Sequence, residues 1–144
     1  DLPSATSSNV IDFITISTLG NATDFGDLTV TSRNTSGSSN PIRGVFGGGY
    51  TPSAVNTIQY ITIATLGNAV KFGELTRTGG PMQACASPTR GLWGGGYVAP
   101  ANSNIIDYVT IASTGNAVSF GQLTLDRRQI QNGLSDSHGG LGGY

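Results

Sequence analysis

Few side chains in this sequence are equipped for covalent or metal chemistry. Its 144 residues contain one histidine, one cysteine and one tryptophan. No nucleophile–base constellation accompanies His138, and a catalytic imidazole needs such partners. Cys85 is alone, which excludes an intrachain disulfide and a cysteine-cluster metal site. Its neighbours Ala84 and Ala86 make it read as a small buried side chain rather than a reactive thiol. Asp12, Asp24, Asp27, Glu74 and Asp107 do not fall in the D-x-D-x-D-G spacing of a calcium loop. The glycine-rich stretches are followed neither by a lysine in phosphate-loop spacing nor by a helix. The expectation is no catalytic residue, no metal ligand and no cofactor. Two glycosylation sequons, Asn21-Ala22-Thr23 and Asn34-Thr35-Ser36, read more simply as a hairpin turn and a polar loop.

The residues that could bind a ligand are those that recur. Arg43 and Arg90 occupy the same turn in two copies of one pattern, and His138 lies near that place in a third. These arginines either bond backbone carbonyls of a neighbouring unit or ring one face and hold a ligand. Tyr50, Tyr97 and Tyr144 end the glycine-rich stretches. They would stack on sugars at a rim or wedge between units. Trp93 reads first as packing between units and second as a carbohydrate platform. These seven residues are the candidate ligand-binding set.

What positions them is a threefold repeat. NVIDFITISTLGNATDFGDLT starts at Asn9, NTIQYITIATLGNAVKFGELT at Asn56 and NIIDYVTIASTGNAVSFGQLT at Asn104. A second element, RGVFGGGY, RGLWGGGY and the degraded SHGGLGGY, ends at Tyr50, Tyr97 and Tyr144, spaced 47 residues apart. The chain therefore reads as a single repeat domain, 1–144, with units of about 9–50, 56–97 and 104–144.

Within each unit the residues favour strands. From Val10 to Thr18 both alternating faces are largely apolar and β-branched, as in a strand covered on both sides. Gly20-Asn21, with its copies Gly67-Asn68 and Gly115-Asn116, predicts a tight hairpin. The next strand carries Phe25 and Leu28, then Phe72 and Leu75, then Phe120 and Leu123. Gly26, Gly73 and Gly121 interrupt it, which predicts a bulge or a close backbone approach. Residues 32–40 read as soft and exposed. Met82 to Ser87 predicts a short strand of small residues, Ser87-Pro88-Thr89-Arg90 a turn, and Gly91 to Tyr97 a further strand. No segment shows capped helical periodicity. Four short strands in about 45–50 residues is the pattern of a β-propeller blade.

Composition limits partners and setting. Net charge is -1 and 10% of residues are charged. Nothing here attracts nucleic acid or an anionic membrane surface. No apolar run approaches the roughly 20 residues needed to cross a bilayer as a helix, so no membrane insertion is expected. The 22 glycines are neither collagen-like nor a linker, because β-branched and aromatic residues separate them. A chain this poor in charge suits a virion or extracellular protein. Its start at Asp1 suggests a processed product or part of a longer chain.

The order arginine, glycine pair, strand aromatic, then aromatic followed by leucine resembles the kelch motif. Arg43 and Arg90 match its arginine, Gly48-Gly49 and Gly95-Gly96 its di-glycine, and Tyr60 and Tyr108 its tyrosine, with Phe13 in the first copy. Phe25, Phe72 and Phe120 stand at its tryptophan. The arginine lies closer to the glycines than in typical kelch repeats, so no kelch function is carried over. Over nearly its whole length the chain also resembles repeats of uncharacterised bacteriophage proteins, especially of marine phages and cyanophages. That resemblance implies a virion or fibre-associated role.

The resulting expectation is an all-β propeller of kelch-like four-stranded blades, three per chain. The first blade would take two strands from each terminus. Three blades are fewer than the four to eight that propellers typically use. Two chains would therefore give about six, or head-to-tail contacts would build a filament, or the chain is part of a longer array. Its partners would be itself, another virion protein or a surface glycan. The expected function is a non-enzymatic structural or adhesion module. The alternative is a lectin-like propeller with one carbohydrate site per blade.

Overall fold

A computed structural model describes residues 7–80, 82–98, 100–128 and 133–135. The described chain is all-β. Its strands are β1 (Ser8–Phe13), β2 (Thr23–Ser32), β3 (Ser36–Ser39), β4 (Arg43–Gly47), β5 (Tyr50–Thr51), β6 (Ser53–Ala54) and β7 (Thr57–Thr62). They continue as β8 (Val70–Glu74), β9 (Gln83–Ala86), β10 (Arg90–Gly94), β11 (Tyr97–Val98), β12 (Ala101–Thr110) and β13 (Val118–Arg127).

Two antiparallel sheets form on a shared four-stranded plan, β3-β4-β7-β8 and β9-β10-β12-β13, the second widened to five strands by β11 pairing with β12, beside the two-stranded sheets β1-β2 and β5-β6. The same three-stranded register recurs: Arg43 faces Thr62 and Val45 faces Tyr60, as Arg90 faces Thr110 and Leu92 faces Tyr108. Each outer pair carries a bulge at its phenylalanine. Ile11 opposes Gly26 and Asp12 opposes Asp24, leaving Phe25 as the extra residue, and the same holds at Phe72 and Phe120. The interrupting glycines therefore mark a bulge, as expected from sequence.

The sheets stack through apolar faces. Val45, Ile58, Phe72, Leu75, Met82, Trp93, Val109 and Ile111 form the core between the two four-stranded sheets. Phe25, Ile61 and Ala69, with Ile11, Leu28 and Phe46 against them, join β1-β2 to β3-β4-β7-β8. Each large side chain fully buried this way contributes about 1.5–3 kcal/mol. The β1-β2 and β9-β10-β12-β13 sheets lie at opposite ends of this stack, and no closed propeller forms among the described residues.

Three local expectations are corrected. The Gly-Asn pairs do not make the hairpin turns. The turns lie earlier, where Thr18 donates to the Thr15 carbonyl and Thr65 to that of Thr62. Residues 32–40 are not merely a soft loop, because β3 lies there and pairs with β4. The expected glycine-rich strand stops short of its tyrosine, β4 ending at Gly47 and β10 at Gly94. Gly48 and Gly49 (φ 71° and 112°), then Gly95 and Gly96 (66° and 99°), turn the chain out of β4 and β10. A Cβ at Gly48 would lie 2.8 Å from the Gly79 oxygen, so backbone crowding as well as φ reserves the site for glycine.

Candidate functional site

The recurrent arginines stand over the recurrent tyrosines. Arg43 on β4 and Tyr60 on β7 are diagonal neighbours across one ladder, which places both side chains on one face. The Arg43 guanidinium lies 4.6 Å from the Tyr60 ring centre, and Arg90 lies 4.9 Å from that of Tyr108. Each tyrosine meets the bulged phenylalanine of the next strand edge-on, Tyr60 with Phe72 at 5.8 Å and Tyr108 with Phe120 at 5.9 Å. Phe13 and Phe25 repeat the aromatic pair at 6.0 Å. Such edge-on pairs add about 0.5–1.5 kcal/mol beyond their buried area.

Beside each tyrosine the hairpin end leaves a notch. One, of about 210 Å³, is lined by Tyr60, Thr62, Thr65, Leu66, Gly67 and Asn68 among others. Another, of about 160 Å³, is lined by the corresponding Tyr108, Thr110, Ser113, Thr114, Gly115 and Asn116, with Phe72 from the adjoining sheet. Both are smaller than the roughly 300–1,000 Å³ clefts that hold drug-sized ligands. An aromatic face with several hydroxyls is chemically suited to a sugar ring. Among the described residues no group of three histidine, cysteine or carboxylate side chains gathers as a metal site.

The remaining candidates have structural surroundings. Arg43 also donates from Nη1 to the Ile111 carbonyl at 2.7 Å, tying β4 to the neighbouring sheet. Tyr50 lies under Arg33 at 5.6 Å and donates its hydroxyl to the Gly80 carbonyl at 3.1 Å. Tyr97 pairs through its backbone with Gly80 and lies under Arg128 at 4.4 Å. Both tyrosines are thus pinned between consecutive units. Trp93 is fully buried against Gly47, with Nε1 donating to the Ser36 carbonyl at 3.2 Å. It offers no platform to a ligand and takes the packing place that sequence favoured. His138 and Tyr144 lie outside the described residues.

Sequence reasoning missed the polar seam between sheets. Asn68 Oδ1 accepts the Asp27 N–H at 3.0 Å, and Asn116 Oδ1 accepts that of Glu74 at 3.1 Å. The recurrence of Asn after Gly was visible, but a turn explained it equally well. Arg77 and Asp107 form a buried ion pair. Val30 and Leu125 stand at the place of Arg77 in the other units, so repetition offered no signal there.

No protein-family model matches the chain, and no curated protein matches it. The reading of function therefore rests on this geometry and on the sequence pattern.

Proposed function

We propose that this chain is a non-enzymatic structural or adhesion module, built as a propeller-type stack of kelch-like blades that presents its hairpin ends to a protein or glycan. One observation carries the reading. The amide of Gly67 donates to the Phe25 carbonyl at 2.9 Å, and that of Gly115 donates to the Phe72 carbonyl at 2.9 Å. The same seam is thus used twice to stack sheets, which is how a repeat scaffold gains rigidity from nearest-neighbour contacts. The low charge and the resemblance to phage repeats favour a phage particle or an extracellular fibre as its setting. Limited proteolysis tests the scaffold. A body spanning β3 to β13 should survive intact, whereas cleavage throughout the strands under native conditions would overturn the reading.

The second reading, a lectin-like function, is favoured by the paired notches beside Tyr60 and Tyr108. A glycan array separates the two. Binding to one sugar class, lost on Tyr60→Ala and Tyr108→Ala, supports the lectin. An array without binders leaves contact with protein as the scaffold's role.

A further inference from the structure

The stacking seam has two halves, and the chain carries one unmatched half at each end of the stack. On the leading half, Gly26 and Gly73 lie against the following sheet. A Cβ at Gly26 would stand 2.5 Å from the Gly67 oxygen, and one at Gly73 would collide with the Gly115 oxygen. Gly121 is the third member of this series, with φ 156° like the 145° of Gly26, and its Cβ position meets nothing within 4 Å. The neighbouring phenylalanine follows suit. Phe25 is 7% exposed and Phe72 3%, but Phe120 is 52% exposed, with Leu125 also open.

The trailing half shows the converse. Ala69 and Ala117 are buried by the preceding sheet, and their amides donate to the Asp27 and Glu74 carbonyls at 2.7 and 2.8 Å. Ala22, at the same place in β1-β2, is exposed. Ile111 is fully buried, whereas its counterparts Ile63 and Ile16 are 44% and 94% exposed, the largest exposure falling at the open end.

We propose that β12-β13 receives the β1-β2 hairpin of a second copy of this chain, head to tail. This rests on the repeat-scaffold reading and names its partner. The two seams already present are the argument for the occupant, because the bonds that both seams share have counterparts in the residues at the two open ends. Gly20 N–H of the second copy meets the Phe120 carbonyl, Ala22 N–H meets the Gln122 carbonyl, and Asn21 Oδ1 takes the Gln122 N–H. Thr124 donates to Asp12 of the second copy, as Thr76 donates from Oγ1 to Asp107 at 2.7 Å. Arg90 reaches the Ile16 carbonyl, as Arg43 reaches that of Ile111. The exposed Phe120 and Leu125 cover Ile14 and Ile16. Gly133 lies against β9, where its Cβ would meet the Ala84 oxygen at 2.9 Å. Gly133 thus sits beside the strand that borders the neighbouring sheet through β3.

The contact is heterologous, so a complementation experiment tests it. Sedimentation equilibrium of the wild-type chain should show masses in multiples of 14.7 kDa. Ala22→Arg blocks the hairpin half and Phe120→Arg the receiving half, with Leu125→Arg as a second variant there. Each alone should sediment as a folded monomer by circular dichroism and mass. An equimolar mixture of Ala22→Arg with either receiving-half variant retains one intact seam and should form a species of twice the monomer mass. A monomeric wild type at about 100 µM, where even weak seams with Kd near 10 µM would be occupied, overturns the proposal. So does a variant that associates like the wild type, or a mixture that remains monomeric. If association fails while the protease-resistant body persists, the scaffold reading stands and the head-to-tail contact falls.

Discussion

Arg77 and Asp107 meet across the seam between the two four-stranded sheets, Nη1 to Oδ2 at 2.9 Å, with both side chains buried. Asp107 also accepts the Thr76 amide at 3.2 Å and its hydroxyl at 2.7 Å. Arg77 Nη2 donates to the Gly95 and Ile105 carbonyls at 2.7 and 3.0 Å. Burial pulls the guanidinium pKa below its ordinary value, and the Asp107 charge opposes that shift. In the preceding seam the same work is done without charge. Gln59 Oε1 accepts the Thr29 amide at 2.6 Å and its hydroxyl at 2.7 Å, and Val30 stands where Arg77 does.

Substituting Asp107→Gln should therefore leave a buried guanidinium without its counter-charge, at a cost of about 3–5 kcal/mol. Adding Arg77→Val rebuilds the pair found at Val30 and Gln59. The double variant should lose less than the sum of the singles, by about 1–3 kcal/mol. Urea unfolding of all four proteins measures this coupling, and strict additivity would contradict it.

Gly26 and Gly121 allow a matched comparison. They share a similar φ, but only Gly26 has a neighbouring carbonyl where a Cβ would go. In an Ala22→Arg background, which keeps the chain single, Gly26→Ala should cost about 1–3 kcal/mol more than Gly121→Ala, the usual range for overpacking. Equal losses would mean that φ strain alone reserves these positions for glycine.

This pair also shows how far the sequence could be read. The all-β character and the bulge at each phenylalanine followed from residue type and spacing, because β-branched runs and a repeated strand glycine have few other uses. The role of Gly-Asn did not. Asn68 and Asn116 satisfy amides in a different sheet, and a one-dimensional pattern does not say whether an asparagine bonds its own turn or a neighbour's strand. The Arg77–Asp107 pair was invisible for a different reason: its partners are 30 residues apart and occur in one seam. Of the candidate site, the pairing of Arg43 with Tyr60 and of Arg90 with Tyr108 follows from strand register, which sequence alone left open.

Burial raises the Cys85 thiol pKa above its ordinary value. Native Cys85 should thus alkylate with iodoacetamide more slowly than in the urea-unfolded chain, since the thiolate is the nucleophile. The sign for stability follows. The unfolded thiol ionises first, so this contribution is whole below the unfolded thiol's pKa and fades as pH rises through the folded one. Equal alkylation rates in the native and unfolded chains would show the thiol to be freely solvated.

Arg43 and Arg90 look equivalent in sequence and are not so in the fold. Both guanidiniums cover a tyrosine ring, but Arg43 also bonds the Ile111 carbonyl of the neighbouring sheet, whereas Arg90 is exposed. A hydrogen bond from a charged donor adds about 1.5–3 kcal/mol, and an exposed cation–π contact about 0.5–1 kcal/mol. Arg43→Ala should therefore destabilise the chain by about 2–4 kcal/mol, and Arg90→Ala by less than about 1 kcal/mol. Arg43→Lys should recover part of the loss, because an ammonium keeps the charge but not the planar fork. Thermal melts of the three variants decide the matter. If Arg90→Ala proved as costly as Arg43→Ala in a monomeric background, the cross-sheet bond would not be what separates them.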